Sequence, residues 1–293
     1  MKPNVWQAMK PAELSLGDFL RRTSPEITHL VELPQQTLLV LLSHVLEQPQ
    51  TWILAHNEAA LSATQQAKLT ALIARLKQGV PLPYLTGRQE FFGLSFEVSP
   101  AVLIPRPETE LLVETALRWL RSHPAANSAV DVGTGSGCIA VSLAVNTPTL
   151  HIVATDISAE ALAIAQRNAQ IHHVEDRITF QEADLISADL GRFDLICANL
   201  PYVPTSELAK VNSLPYEPAL ALDGGPDGLA LIKRCLADAP AHIRAPGMLL
   251  FEIEATTGDA ALALACNAFP QAKISLMPDL TGKDRLLTIE LEP

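Results

Sequence analysis

The chain holds 293 residues, 48% apolar and 18% charged, with a formal net charge of −11. That balance excludes an intrinsically disordered chain, which pairs low hydrophobicity with high net charge, and no apolar run approaches the ~20 residues of a membrane-spanning helix. Four scattered cysteines (Cys138, Cys197, Cys235 and Cys266), with no C-x-x-C pair, argue for small buried thiols in a reducing cytoplasm and against a disulfide framework or zinc ribbon.

Residues 12–80 read as helical. Leu38, Leu41, Leu42 and Val45 recur at i, i+3, i+4 and i+7, and Leu69, Leu72, Ile73 and Leu76 repeat the row. Ser62 reads as an N-cap and Gly79-Val80-Pro81 as a stop. Residues 1–85 are therefore predicted as a small helical domain and 86–107 as a hairpin and linker. Within that linker, 89–104 forms two short strands around Gly93. From 108 to 293 strands alternate with helices. Leu112, Ala116, Trp119 and Leu120 make one helix face, and Ala129–Val132 is a strand that runs into Gly133-Thr134-Gly135-Ser136-Gly137, followed by a helix over Cys138–Val145. His151–Thr155 is the next strand, ending on Asp156, and Ser158 caps a helix through Asn168. Ile178–Gln181, Phe193–Ala198 and Met248–Ile253 are further strands; Ala272–Met277 and Arg285–Leu291 flank a turn as an antiparallel pair would. The fold class is α/β: a doubly wound Rossmann-like sheet with an antiparallel edge hairpin, behind a small helical domain. Trp6, Trp52 and Trp119 are expected as packing residues.

Strand, glycine-rich turn and helix together make a place where a ligand approaches the backbone closely. The frame Gly135 to Ala140 satisfies G-x-G-x-x-A, so spacing alone admits NAD. Asp156, 23 residues beyond Gly133, sits where a carboxylate accepts from both ribose hydroxyls, a device that serves NAD and S-adenosylmethionine equally. Asp131 can meet a cationic ligand group or brace the loop. Asp184, after the third strand, can accept from an adenine amine, and Leu185 can pack on the adenine face.

Phe193–Ala198 feeds into Asn199-Leu200-Pro201-Tyr202. This resembles the D/N-P-P-Y/F signature of methyltransferases that act on planar amino or amide nitrogens. Such a nitrogen is a weak nucleophile, because its lone pair is delocalised into the π-system. Acceptors at the Asn199 side chain and the Leu200 carbonyl would hold its two N–H groups and direct the lone pair, while Tyr202 would pack on the amide and exclude water. Leu200 replaces the usual proline, which keeps the carbonyl and removes the fixed φ.

Gly87–Glu114, with its Ile104-Pro105-Arg106-Pro107-Glu108-Thr109-Glu110 core, closely resembles the segment joining the two domains in the HemK/PrmC family of release-factor glutamine methyltransferases. Glu217-Pro218, Leu222 to Gly228 and Asp279 to Arg285 extend the match over essentially the whole chain. The resemblance implies transfer of methyl from S-adenosylmethionine to the glutamine amide nitrogen in the Gly-Gly-Gln motif of peptide chain release factors. Gly133 to Gly137, Asp156, Leu185 and Asn199 would line the cofactor, and Asn199 to Tyr202 would hold the glutamine. Arg106 and Glu108 would lie near the mouth of the site, with an interdomain structural role as the alternative for both. The helical domain would help to dock the release factor. The chain departs from the family at Leu200 and at Glu254, where glycine commonly follows the fifth-strand Glu-Ile.

Competing readings remain distinct in what they need. A nucleic-acid amino methyltransferase would need a basic groove, yet residues 91–293 carry a net −12 against +1 for residues 1–90. No direct nucleic-acid partner and no membrane is therefore expected, and the chain is taken as a monomer. A NAD-dependent oxidoreductase would need a His/Lys–acid pair, and none stands out near the glycine loop; a binding module without chemistry is opposed by Asn199 and Tyr202. The eight histidines show no metal spacing, so no metal is expected, and no G-x-S-x-G elbow is present.

Overall fold

In the computed structural model, which describes residues 14–210 and 216–293, the N-terminal leucine rows fold as α1 (Leu16–Ile27), α2 (Pro34–Leu46), α3 (Gln50–Ala55), α4 (Ala63–Lys77) and α5 (Leu82–Thr86). Trp6 lies outside the described residues. Leu38, Leu41 and Leu42 of α2 and Leu69, Ile73 and Leu76 of α4 are buried, whereas Val45 and Leu72 sit at the edge of their stripes. Ser62 closes a reciprocal capping box with Gln65, satisfying backbone donors that the first turn leaves free. Trp52 stacks on His56 one turn away.

The chain divides into two compact units at the Thr86–Gly87 junction. Residues 87–107, expected as hairpin and linker, belong to the second unit. β1 (Arg88–Phe91) and β2 (Leu94–Glu97) pair antiparallel about a turn in which both Phe92 and Gly93 have positive φ, as a two-residue hairpin turn of this twist requires. Phe91 and Phe96 drop into the core of the second unit, and burial of two aromatic rings anchors the hairpin there.

A seven-stranded sheet forms the rest: β3 (Ser128–Val132), β4 (His151–Asp156), β5 (Ile178–Glu182), β6 (Phe193–Ala198), β7 (Ile243–Glu252), β8 (Lys273–Pro278) and β9 (Asp284–Leu291), in the order β5-β4-β3-β6-β7-β9-β8. The first five are parallel, and β9 runs antiparallel to both its neighbours. Helices α6 (Glu110–Ser122), α7 (Cys138–Asn146), α8 (Ala159–Ile171), α9 (Ala230–His242) and α10 (Gly258–Ala268) accompany it. Alternate residues of β6 enter different cores: Leu195 and Cys197 one, Ile196 and Ala198 the other. That two-sided burial explains why the strands read as continuous apolar runs. β7 begins five residues earlier than its apolar run, because Ile243 already pairs with Phe193 ahead of a register shift. Cys138, Cys197 and Cys235 are buried; Cys266, on the outer side of α10, is exposed and so corrects the expectation of four buried thiols.

Asn168 in α8 ties three parts of this unit together. Its Oδ1 accepts from the Glu97 backbone N–H at 2.7 Å, and its Nδ2 donates to the carbonyls of Glu97 at 3.0 Å and Ser136 at 2.8 Å. Because Asn168 is fully buried, Asn168→Ala strands three backbone groups, each worth ~1–3 kcal/mol. The expected outcome is a loss of at least about 2 kcal/mol in urea unfolding, with the m-value unchanged; a loss within about 0.5 kcal/mol of zero would contradict this tie.

Candidate active site

β3 and β6 are neighbours, yet the chain leaves β3 toward β4 and β5 and returns to its other side at β6. This is the topological switch point, outside whose carboxyl end a crevice opens. An open cleft of about 290 Å³ lies there, near the lower end of the ~300–1,000 Å³ common for small-molecule sites. Gly133, Gly135, Asp156, Leu185, Asn199 and Pro201 are among the residues that line it.

The glycine loop takes positive φ at Gly133, Gly135 and Gly137. A methyl group on Gly137 would meet Ala165 of α8 at 3.0 Å, so glycine lets α7 start hard against α8. At Gly135 it would meet nothing within 4 Å, although Gly135 lines the cleft; here the open side faces the cleft. Asp156 holds this loop by accepting from Gly135 N–H at 2.9 Å through Oδ2, while Oδ1 accepts from Ser158 N–H at 2.9 Å. Burial raises its pKa, and the N–H groups of Ser158, Gly135 and Ile157 oppose that. Each carboxylate oxygen keeps a lone pair for a further donor, so the loop and Asp156 fit a ribose-bearing cofactor.

Asp131 is drawn elsewhere. It is fully buried and does not line the cleft. Its Oδ2 accepts from Thr134 Oγ1 at 2.6 Å and Ala140 N–H at 3.2 Å, so of the two roles the sequence left open the geometry matches the brace. Thr134 and Ser136 line the cleft, as do Asp184 and Leu185. Asp184 also pairs with Arg234 of α9 at 2.7 Å across the exposed rim.

On the β6 side, Asn199 lines the cleft and its Nδ2 donates to Thr109 Oγ1 at 3.0 Å, which leaves Oδ1 as an acceptor. Leu200 is buried, and its Cδ2 fills the space that a Cβ on Gly133 would claim at 3.1 Å. Tyr202, expected over the substrate amide, does not line the cleft. Its hydroxyl donates to Glu252 Oε1 on β7 at 3.2 Å, and burial together with that carboxylate pushes the phenol pKa up. The backbone of this loop is clamped by the segment 222–228. Val203 N–H donates to Leu222 and Gly224 N–H returns to Val203, at 2.9 and 2.8 Å. A Cβ would come within 2.7 Å of Tyr202 Cα at Gly224, and within 2.4 Å of Tyr202 O at Gly228. Only glycine permits so close an approach.

Arg106 lines the cleft, but its guanidinium forks onto Glu217 of the same unit at 2.8 and 2.6 Å. Glu217 also accepts from Ile104 N–H. Glu254, the departure from the family, pairs with Arg285 at 3.1 Å, and Arg285 in turn reaches Asp279. Sequence reasoning assigned no role to Thr109, Glu217, Arg234 or Glu252. Glu252 did carry a signal, as a lone acid within the apolar run Met248–Ile253. Among the described residues, no group of three or more His, Cys, Asp or Glu side chains is placed to hold a metal ion.

Residues 18–87 match the PrmC N-terminal domain family and residues 107–213 the methyltransferase small domain family. The release factor glutamine methyltransferase of Moorella thermoacetica is 40% identical over 92% of this chain and 95% of its own length. The protein of the same name from Chlorobaculum tepidum is 35% identical over 97% of both. Among solved structures, the hMettl16 catalytic domain in complex with MAT2A 3'UTR hairpin 1 matches with a TM-score of 0.54 at 14% identity, over 100% of this chain and 94% of that one. At that identity the likeness shows the fold alone. It is the fold of a methyltransferase, and with the family matches it overturns the NAD-dependent alternative.

Burial raises the Asp131 pKa from 3.8 to about 6, and the nearby Asp156 charge adds to the rise. The folded state therefore holds this proton more tightly than the unfolded chain does. Asp131 then contributes stability that declines as pH rises from about 4 to about 6 and stays constant above. Asp131→Asn removes that titration. The stability difference between native protein and variant, read by urea unfolding, is expected to fall across this window and level off beyond it. A difference independent of pH would contradict the buried carboxyl.

Proposed function

The chain belongs to the release factor glutamine methyltransferase family of S-adenosylmethionine-dependent enzymes, and from that premise we propose that it methylates the side-chain amide nitrogen of the glutamine in the Gly-Gly-Gln motif of peptide chain release factors. The observation that carries this reading is the Asn199 side chain. It lines the same cleft as the glycine loop and Asp156, with its amino group committed to Thr109 and its oxygen left to accept.

Asn199 Oδ1 and the Leu200 carbonyl accept the two N–H groups of the substrate carboxamide and turn its lone pair toward the cofactor. Leu200 serves as well as proline in this, because the acceptor is the backbone carbonyl. Its side chain, packed against Gly133, stiffens the loop in place of the pyrrolidine ring. S-adenosylmethionine, when bound, supplies an activated methyl group together with its own leaving group. No strong base is then needed, because the amide proton departs to water once the nitrogen has gained positive charge, and catalysis is largely orientation. Gly133, Thr134, Gly135, Ser136 and Gly137 would wrap the cofactor, Asp156 would accept from its ribose, and Asp184 with Leu185 would meet its adenine. Asp131 braces that loop from behind, and Pro201 and Tyr202 fix the course of the substrate-holding segment. Arg106, held by Glu217, shapes the mouth with Glu108. The helical unit docks the release factor. The acidic character of residues 91–293 favours a protein loop over a nucleic-acid base, and the chain works in the cytoplasm as a monomer.

Mass spectrometry of unmethylated release factor, after incubation with the enzyme and S-adenosylmethionine, is expected to show one added methyl group on the Gly-Gly-Gln glutamine. A missing shift with cofactor binding intact would reopen the substrate, nucleic acid first. Asn199→Ala is expected to lower turnover roughly 100-fold or more while changing the cofactor dissociation constant little; equal losses would reassign Asn199 to the cofactor. Asp156→Ala is expected to weaken cofactor binding by ~1.5–3 kcal/mol, the scale of a hydrogen bond to a charged group. Calorimetry showing an unchanged constant would end the ribose assignment.

A further inference from the structure

Glu252, at the carboxyl end of β7, is buried to 2% exposure, and no step above uses it. Its Oε1 accepts from the Tyr202 hydroxyl. Its Oε2 is buried with no hydrogen-bond partner. Thr109, whose Oγ1 accepts from Asn199 Nδ2, lies beside the same carboxylate and favours its charged form. One carboxylate thus faces Tyr202 directly and Asn199 through Thr109.

An ionised carboxylate accepts hydrogen bonds and donates none. With Glu252 charged, the hydroxyls beside it are turned toward it, Tyr202 donating to Oε1 and Thr109 facing the carboxylate with its proton. The Thr109 oxygen is then left to accept from Asn199, which keeps the Asn199 amino group inward and Oδ1 toward the cleft. Protonation reverses that polarity. A neutral Glu252 instead turns its own proton toward Thr109, the Thr109 proton turns toward Asn199, and the flipped amide becomes compatible. That amide would present N–H groups to a substrate that itself offers N–H groups.

We propose that Glu252 is a positioning residue for methyl transfer: a buried, acceptor-only anchor shared by Thr109 and Tyr202 that sets the direction of the hydrogen bonds leaving Asn199 Oδ1 free for the substrate amide. The inference rests on the function proposed above. The groups around Glu252 set where it titrates. Burial raises its pKa to about 7; Thr109 and Tyr202 oppose that, Glu108 adds to it, and Arg285 on β9 opposes it. Cys138 on α7 also feels Glu252, but its thiol, pushed up to about 12 chiefly by burial, stays neutral. Glu254, on the same segment, faces Tyr202 and is paired with Arg285. Activity should therefore be lost as the pH falls through neutrality.

The test measures kcat, KM for release factor and Kd for S-adenosylmethionine across neutral pH, using the full chain, Glu252→Gln and Thr109→Val. Infrared difference spectra between native protein and Glu252→Gln follow the carboxyl itself, without turnover. Expected for Glu252→Gln is a kcat lower by roughly 10- to 100-fold, the scale of a misplaced catalytic group, with unchanged cofactor Kd. The acid limb of the native kcat profile should vanish in this variant and coincide with the infrared titration. Thr109→Val should lose kcat similarly, and it carries the test alone if Glu252→Gln does not fold. Native kcat in either variant, or an acid limb retained in Glu252→Gln, overturns the inference. So does a kcat loss matched by equal loss of cofactor affinity. A native enzyme that binds S-adenosylmethionine yet leaves release factor unmethylated at every pH overturns instead the function reading, and the inference falls with it.

Discussion

The site depends on the register of three parallel strands. Val132 of β3 pairs with Ala198 of β6 on one side and with Thr155 of β4 on the other. The three strands therefore end level, and Gly133, Asn199 and Asp156 emerge together at one edge of the sheet. A slip of one residue would turn each strand's inner faces over and part the glycine loop from the acceptor that faces it. Apolar burial on both faces enforces the register, because Val130, Val132, Ile196 and Ala198 share one core while Ala129, Leu195 and Cys197 share the other.

On that frame, loop geometry is held by buried polar side chains. Asp131 holds Thr134 and the start of α7, Asn168 holds the Ser136 carbonyl, and Glu217 holds Arg106 with the backbone of Ile104. Burying such groups is unfavourable unless each finds its partners. Most do, which makes the loops rigid. Among the described residues, the buried oxygens left without a partner include Asp131 Oδ1 and Glu252 Oε2, and both of these belong to carboxylates whose charged form burial disfavours. The glycines act alongside, since Gly224 and Gly228 let one backbone segment lie directly on Tyr202.

The two departures from the family pattern find partners in the same way. Leu200 fills the hollow beside Gly133, so side-chain packing takes over the stiffness that a proline ring would give. Glu254 joins Arg285 and Asp279 in an ion-pair chain linking the end of β7 to the β8–β9 turn. Neither change removes an acceptor from the cleft.

Much of this was legible in the chain of residues. Strand periodicity and glycine spacing placed β3 to β6, the glycine loop after β3, and Asp156 and Asn199 at the ends of β4 and β6, because these signals are local: a strand end and the residue after it are neighbours in sequence. The helical N-terminal unit and the Ser62 cap were legible for the same reason. What the sequence could not decide were contacts between residues far apart along the chain. Arg106 and Glu217, Asn199 and Thr109, and Tyr202 and Glu252 are 111, 90 and 50 residues apart. The segment 86–107 read as a hairpin and linker, not as part of the second unit, because the tie of its hairpin to that unit is Phe91 and Phe96 in a core assembled from distant strands. Tyr202 read as a substrate cover because only the folded sheet brings β7, with its buried carboxylate, beside the end of β6. Local hydrogen bonding and apolar period set which elements form; the packing of sheet and helices decides which side chains those elements carry into contact.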